Sequence, residues 1–131
     1  MIAQALSGRR IFVTGSTGFV GTALVERILR CVPDAQVALL VRDGRRSSAE
    51  RRVQRELLRN NAFDRLRESL GAEGFADMAG RRVTVVRGDV GTDGLGLDDA
   101  GREVVARCDV AIHSAATVAF DAPLDRAVEV N

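Results

Sequence analysis

Apolar residues gather in four short runs: Ile11-Phe12-Val13, Val37-Ala38-Leu39-Leu40-Val41, Val83-Thr84-Val85-Val86 and Val110-Ala111-Ile112. None alternates strictly, and each is bounded by polar residues or glycine. Continuous apolar runs of this length suit strands buried on both faces, as in a parallel sheet covered by helices. Between the first two runs the period changes. From Phe19 to Cys31, Val20, Leu24 and Ile28 recur every four residues, which predicts one apolar helix face. Pro33 ends that helix, because it has no N–H to donate and disfavours a helical Val32. Strand, helix and strand in succession form a βαβ unit with parallel strands.

Residues 43–81 exceed what a single crossover needs and predict a helical insertion. Ser47 or Ser48 caps a helix with Val53 and Leu57 on one face, and Phe63, Leu66 and Leu70 have the spacing of a second, shorter one. Gly71, Gly74 and Gly80 then predict a looser stretch before the third strand. Gly88 to Gly101 reads as loop, followed by a short helix from about Asp98 to Arg107. Pro123, placed in a first turn, begins a last helix with Leu124 and Val128. The pattern predicts an α/β fold, a doubly wound parallel sheet of Rossmann type, truncated after about four strands. The fourth strand is then an edge with an open apolar face, as in a truncated product, a fragment or one part of an assembly.

Composition narrows the function classes. A chain of 131 residues, 46% apolar and 28% charged, is a globular domain or part of one, not a disordered segment. A net charge of +1 gives no global reason to expect nucleic acid or an anionic membrane as partner. Cys31 and Cys108 stand in no metal or redox spacing and suit a reducing, cytoplasmic setting. Met1 to Arg10 lacks the apolar stretch of a signal peptide, and no run of about 18 apolar residues predicts a transmembrane segment. All nineteen basic residues are arginine, and there is no tyrosine. This chain therefore supplies no Lys or Tyr to catalysis, and no catalytic residue is assigned within it. Nothing in the pattern specifies an oligomeric state.

The strongest chemical signal is Thr14-Gly15-Ser16-Thr17-Gly18-Phe19-Val20-Gly21, which follows the first strand at once and opens the first helix. That is the context a dinucleotide fingerprint requires. Gly15 permits the tight turn, Gly18 lets the backbone approach a diphosphate, and Gly21 lets the helix pack closely. Unpaired N–H groups at the helix start, helped by its dipole, hold the phosphates. The spacing is GxxGxxG rather than GxGxxG.

At the end of the second strand an acid would accept from a ribose 2′-OH, whereas arginine would bind a 2′-phosphate. Arg42 follows Val41 directly and favours NADP(H), its planar fork matching phosphate. Asp43 competes as a ribose acid, although Asp43-Gly44 also suits the start of a turn. From Arg42 to Arg59, seven arginines face Asp43, Glu50 and Glu56, a local net charge of +4. A solvated helix face accounts for most of them. One or two could reach the 2′-phosphate, or the surface could serve an acidic carrier domain or coenzyme A. Asp89 and Val90 close the third strand, where the carboxylate can accept from the adenine amine and the valine can pack on the ring. A plain glycine turn is the alternative. Ser114, Ala115 and Ala116 follow the fourth strand, with small side chains where ribose and diphosphate would lie. His113 before them has no carboxylate or nucleophile at triad spacing.

Together these elements resemble the extended short-chain dehydrogenase/reductase superfamily over essentially the whole chain, and within it the fatty acyl-CoA reductase and thioester-reductase (male-sterility type) branch. Thr14 to Gly21 matches the superfamily's TGxxGFxG. Ala49-Glu50-Arg51-Arg52 in the basic insertion resembles the branch's AxxR element. Gly88-Asp89-Val90 with Leu95-Gly96-Leu97 resembles its GDV…LGL run, and His113 to Phe120 with Val130-Asn131 its HxAAxVxF and VN elements. The resemblance implies that residues 1–131 are the N-terminal part of a single NAD(P)-binding Rossmann domain. It implies that Arg42 and Arg52 grip the 2′-phosphate and Asp89 the adenine. The implied activity is NADPH-dependent reduction of an acyl thioester, on acyl-CoA or an acyl carrier protein, to aldehyde or alcohol. The family's YxxxK pair and its Ser/Thr have no counterpart here. Other extended enzymes, such as nucleotide-sugar epimerases, dehydratases or hydroxysteroid dehydrogenases, share the first motif, and a non-catalytic nucleotide-binding remnant is a further alternative.

Overall fold

The computed structural model describes residues 1–117, 121 and 123–131. Val118, Ala119 and Phe120 of the HxAAxVxF element lie outside the described residues. Each apolar run is a strand: β1 Arg10–Thr14, β2 Gln36–Val41, β3 Val83–Arg87 and β4 Val110–His113. They form one all-parallel sheet in the order β3-β2-β1-β4. Alternate strand residues supply two cores. Ile11, Val13, Val37, Leu39 and Val41 face one side, and Phe12, Ala38, Leu40 and Val86 the other. Burying each Val, Leu, Ile or Phe side chain among them stabilises the fold by roughly 1.5–3 kcal/mol relative to exposure.

Six α-helices complete the described chain: α1 Ile2–Leu6, α2 Phe19–Cys31, α3 Ala49–Arg52, α4 Asp64–Arg82, α5 Asp99–Ala106 and α6 Leu124–Val130. α2 ends before Pro33 as expected, but it presents a different face. Gly21, Val25, Ile28 and Leu29 are buried, whereas Val20 is exposed and Leu24 only partly covered. The close approach of Gly21 to the preceding loop fixes the helix rotation, and residues four and seven positions on follow it inward.

In the insertion, the Ser48 hydroxyl accepts from Arg51 N and caps α3. The helix then widens into a π-helical stretch over Val53–Leu58, where Val53, Leu57 and Leu58 are buried. A 3-10 turn, Asn61–Phe63, leads into α4. Phe63 and Leu66 enter the core, but Leu70 is 40% exposed. The stretch from Gly71 onward is helical rather than loose. Only Gly71, at φ 71° and ψ 170°, interrupts α4. Helix continues past it because Met78 is buried, with Phe75 and Ala79 packed alongside.

Arg82 closes the C-terminus of α2. Its guanidinium donates to the carbonyls of Leu29 (2.8 Å), Val32 (2.6 Å) and Ala35 (2.8 Å). Helix ends leave carbonyls without intrahelical donors, and this side chain supplies them. On the other face, α5 packs over Val86 through Gly101, with Val104 and Val105 beside it. In α6, Pro123 is the cap rather than part of the first turn, and Leu124 and Val128 are exposed. No described helix is long and apolar enough to cross a membrane.

Candidate functional site

The carboxyl ends of the parallel strands open into a cleft of about 500 Å³. Its first wall is the Gly15–Gly18 loop between β1 and α2. Gly15 has φ +73°, and a Cβ there would lie 2.5 Å from Ala115 N and 2.6 Å from Ser114 C. The loop thus lies against the backbone that leaves β4, an approach only glycine allows. Gly18 N donates to Gly15 O at 3.1 Å. Gly18 caps α2 without a side chain, and the first turn holds no acidic residue. Its leading N–H groups lack intrahelical acceptors and sit at the positive end of the helix dipole, a setting that favours an anion.

The second wall is basic. Arg42 and Arg52 both line the cleft beside Leu40 and Val41. Arg52 Nη1 donates to Arg42 O at 2.9 Å, while Nε and Nη2 donate to the two carboxylate oxygens of Glu56 at 3.0 and 2.9 Å. This pairing holds the Glu56 carboxyl below its usual range. Asp43 turns the other way. Its Oδ1 accepts from Ala49 N at 2.8 Å, so the carboxylate serves the start of α3. Of the two residues competing for the end of β2, the arginine lines the cleft and the acid is engaged in the insertion. Beyond them, Glu50 pairs with Arg87, whose hydrogen bond holds the Glu50 carboxyl at about 2.

Gly88, Asp89 and Val90 form the third side. A Cβ on Gly88 would lie 2.4 Å from Leu95 O, so the LGL segment packs directly on this turn. Asp89 N donates to Leu95 O at 2.8 Å, and Asp89 Oδ1 accepts from Gly91 N at 2.9 Å.

The floor comes from the β4 end. Ser114 Oγ donates to Thr14 O at 2.8 Å, and Ala115 N donates to Thr14 Oγ1 at 3.3 Å. His113 Nδ1 lies 2.7 Å from the same Thr14 hydroxyl, which ties the ring to the sheet. Asn131 then clasps the segment: its Oδ1 accepts from Thr117 N at 2.7 Å and its Nδ2 donates to Thr117 O at 3.2 Å. That pairing brings α6 to the cleft, where Arg126 and Val130 join the lining.

Most residues singled out from the sequence thus converge on one cavity: Gly15, Thr17, Gly18, Arg42, Arg52, Asp89, Val90, Ser114, Ala115 and Ala116 line it. Three do not. Ser16 is 1% exposed and its Oγ has no hydrogen-bond partner, Phe19 is 95% exposed at the helix start, and Gly21 is buried against the Gly15 carbonyl. Arg126 was missed, since a lone arginine in an unfinished amphipathic pattern carries no local signal. Among the described residues no cluster of His, Cys, Asp or Glu is placed to hold a metal ion.

The chain is similar to known proteins in sequence and in fold. The chain is 33% identical over 132 residues to the chloroplastic fatty acyl-CoA reductase 2 of Arabidopsis thaliana, matching 99% of this chain and 21% of that protein. It is 30% identical over 122 residues to the fatty acyl-CoA reductase wat of Drosophila melanogaster, matching 92% of this chain and 22% of that protein. The chain therefore spans about a fifth of the length of these relatives. Among solved structures, the terminal R domain of the myxalamid PKS-NRPS biosynthetic pathway superposes with a TM-score of 0.69 at 30% identity, covering 95% of this chain and 29% of that one. The reductase domain of a non-ribosomal peptide synthetase from Mycobacterium tuberculosis gives 0.60 at 33% identity, covering 90% and 28%. The male sterility protein family matches residues 13–131, from the end of β1 through the Asn131 clasp. With the glycine loop, the basic insertion and the β4 floor all inside that match, this chain belongs to the male sterility protein family.

Proposed function

We propose that this chain is the NADP(H)-binding, N-terminal part of a single Rossmann domain in an oxidoreductase that reduces fatty acyl thioesters, on coenzyme A or a carrier protein, to aldehyde or alcohol. The observation that carries the cofactor assignment is the division of labour at the end of β2. Asp43 spends its carboxylate on Ala49 N, while Arg42 and Arg52 line the cleft. Neither Asp43 nor Glu56 lines the cleft to accept from a ribose 2′-OH, whereas a 2′-phosphate meets two guanidinium groups. The Gly15–Gly18 loop fits the diphosphate, because the loop has no Cβ at its cap and no acid in its first turn to compete for the helix N–H groups. Asp89 and Val90 take the adenine, and Ser114 to Ala116 leave room for ribose.

Held by these residues, NADPH would supply the hydride for reduction of the thioester. This chain's part is to bind and orient the dinucleotide, since it has neither tyrosine nor lysine to hold a proton at the carbonyl oxygen. The acyl substrate follows from the relatives, named as fatty acyl-CoA reductases, and from the neighbouring reductase domains. The free thiols of Cys31 and Cys108 agree with a cytoplasmic setting.

Titration of the chain with NADPH and NADH tests the assignment. Arg42→Ala should weaken NADPH by about 1.5–3 kcal/mol, roughly ten- to a hundredfold, and leave NADH nearly unchanged. Equal losses for both cofactors would remove the 2′-phosphate role.

A further inference from the structure

Arginine carries five N–H groups, and three of those on Arg52 are already committed. Glu56 takes the side edge, accepting from Nε and Nη2, and the Arg42 carbonyl takes one hydrogen of Nη1. One N–H remains on each terminal nitrogen. The one left on Nη2 lies, by the planarity of the group, on the edge shared with Nη1. Arg52 is thus held by its flank and by the backbone at the end of β2, and a side chain that lines the cleft keeps two N–H groups outside these three bonds.

We infer that Glu56 is a positioning residue for the 2′-phosphate subsite: by pairing with the flank of Arg52 it fixes the guanidinium with its terminal N–H groups available to the ligand, and so sets the preference for NADPH over NADH. This rests on the cofactor reading above. Arg52 is only 18% exposed, whereas Glu56 is 44% exposed. A long flexible side chain must otherwise be ordered at the moment of binding, and the bidentate pair orders it beforehand. The opposing effect is repulsion between the Glu56 carboxylate and the phosphate. Water around the half-exposed carboxylate screens that repulsion, while the hydrogen bonds to Arg52 act at contact. The π-helical stretch carrying Glu56 agrees with such a role, because single π turns recur at functional sites.

The test compares dissociation constants for NADPH and NADH in the wild-type chain, Arg52→Ala, Glu56→Ala and the isosteric Glu56→Gln, with circular dichroism to confirm that each folds. Glu56→Ala should weaken NADPH five- to tenfold and leave NADH unchanged. Glu56→Gln, which still accepts one N–H, should fall between it and the wild type. Tighter or unchanged NADPH binding in both Glu56 variants, or equal loss for both cofactors, overturns the inference. If Arg52→Ala loses selectivity and neither Glu56 variant does, only the role of Glu56 falls. A wild-type chain without preference for NADPH overturns the cofactor reading and this inference with it.

Discussion

A Cβ placed on Gly21 would lie 2.0 Å from the carbonyl oxygen of Gly15 and 2.9 Å from the Cα of Ser16. Both neighbours are backbone, so neither can swing aside as a flexible side chain would. Alanine raises helix propensity by about 1 kcal/mol. Relieving the clash requires α2 to lift from the loop, at a typical cost of about 1–3 kcal/mol. Gly21→Ala should therefore lower the urea midpoint and, by opening the Gly15–Gly18 turn, weaken dinucleotide binding together with stability. A variant as stable as the parent would show that α2 does not depend on this approach.

Ser16 makes the opposite case. Its hydroxyl is buried without a partner, and an unsatisfied buried polar group costs about 1–3 kcal/mol. Ser16→Ala should leave the chain equally stable or more stable, and should leave NADPH affinity unchanged. A marked loss of affinity would mean that the hydroxyl turns into the cleft when the ligand binds.

Arg82 offers the clearest structural test outside the cleft. Three carbonyls that end α2 and lead into β2 all accept from its guanidinium. Arg82→Ala should destabilise the chain by about 2 kcal/mol or more. Arg82→Lys should recover only part, since an ammonium lacks the planar reach of the fork. Denaturant unfolding of the two variants reads the difference.

Glu50 should leave a signature in acid. Its carboxyl is held at about 2, below the ordinary 4.5, chiefly by the Arg87 hydrogen bond and then by its own backbone N–H and the Ser48 hydroxyl. A depressed folded value means that the contribution is fully present above about pH 4.5 and fades as pH falls towards 2. Glu50→Gln should flatten the acid limb of stability within that window only. A carboxyl titration by NMR with a midpoint near 4.5 would refute the pairing.

The strands were legible because parallel strands buried on both faces need unbroken apolar runs, and Ile11–Val13 and Val37–Val41 are such runs. The geometry of the first loop was legible because glycine at 15, 18 and 21 is tied to backbone proximity, which leaves a local mark. The buried face of α2 is ambiguous in the sequence because Val20, Leu24 and Ile28 fit the period as well as Gly21, Val25 and Ile28 do. Only the fold shows that a glycine contact sets the rotation. The second half of α4 was hidden by Gly74 and Gly80. Both adopt ordinary helical backbone, and the Phe75, Met78 and Ala79 face outweighs their poor propensity. Val130-Asn131 stand out only by resemblance, and the pairing of Asn131 with Thr117 that brings Arg126 to the cleft has no mark in the local pattern.

The clasp and the floor have a cost in chain connectivity. Arg10 pairs with Gln36 across a short crossover, whereas Thr14 pairs with His113, a separation of 99 residues. Closing the longer loop costs about 1 kcal/mol more. β4 is also the less buried partner, with its side chains alternating between partly covered and exposed. Backbone amides of Ile112 to Thr117 should therefore exchange hydrogen for deuterium ahead of those in β1 and β2. The cleft joins a wall built on near pairings to a floor built on a distant one, and a ligand that touches both would act as a stitch between them, slowing exchange most where the native sheet is weakest.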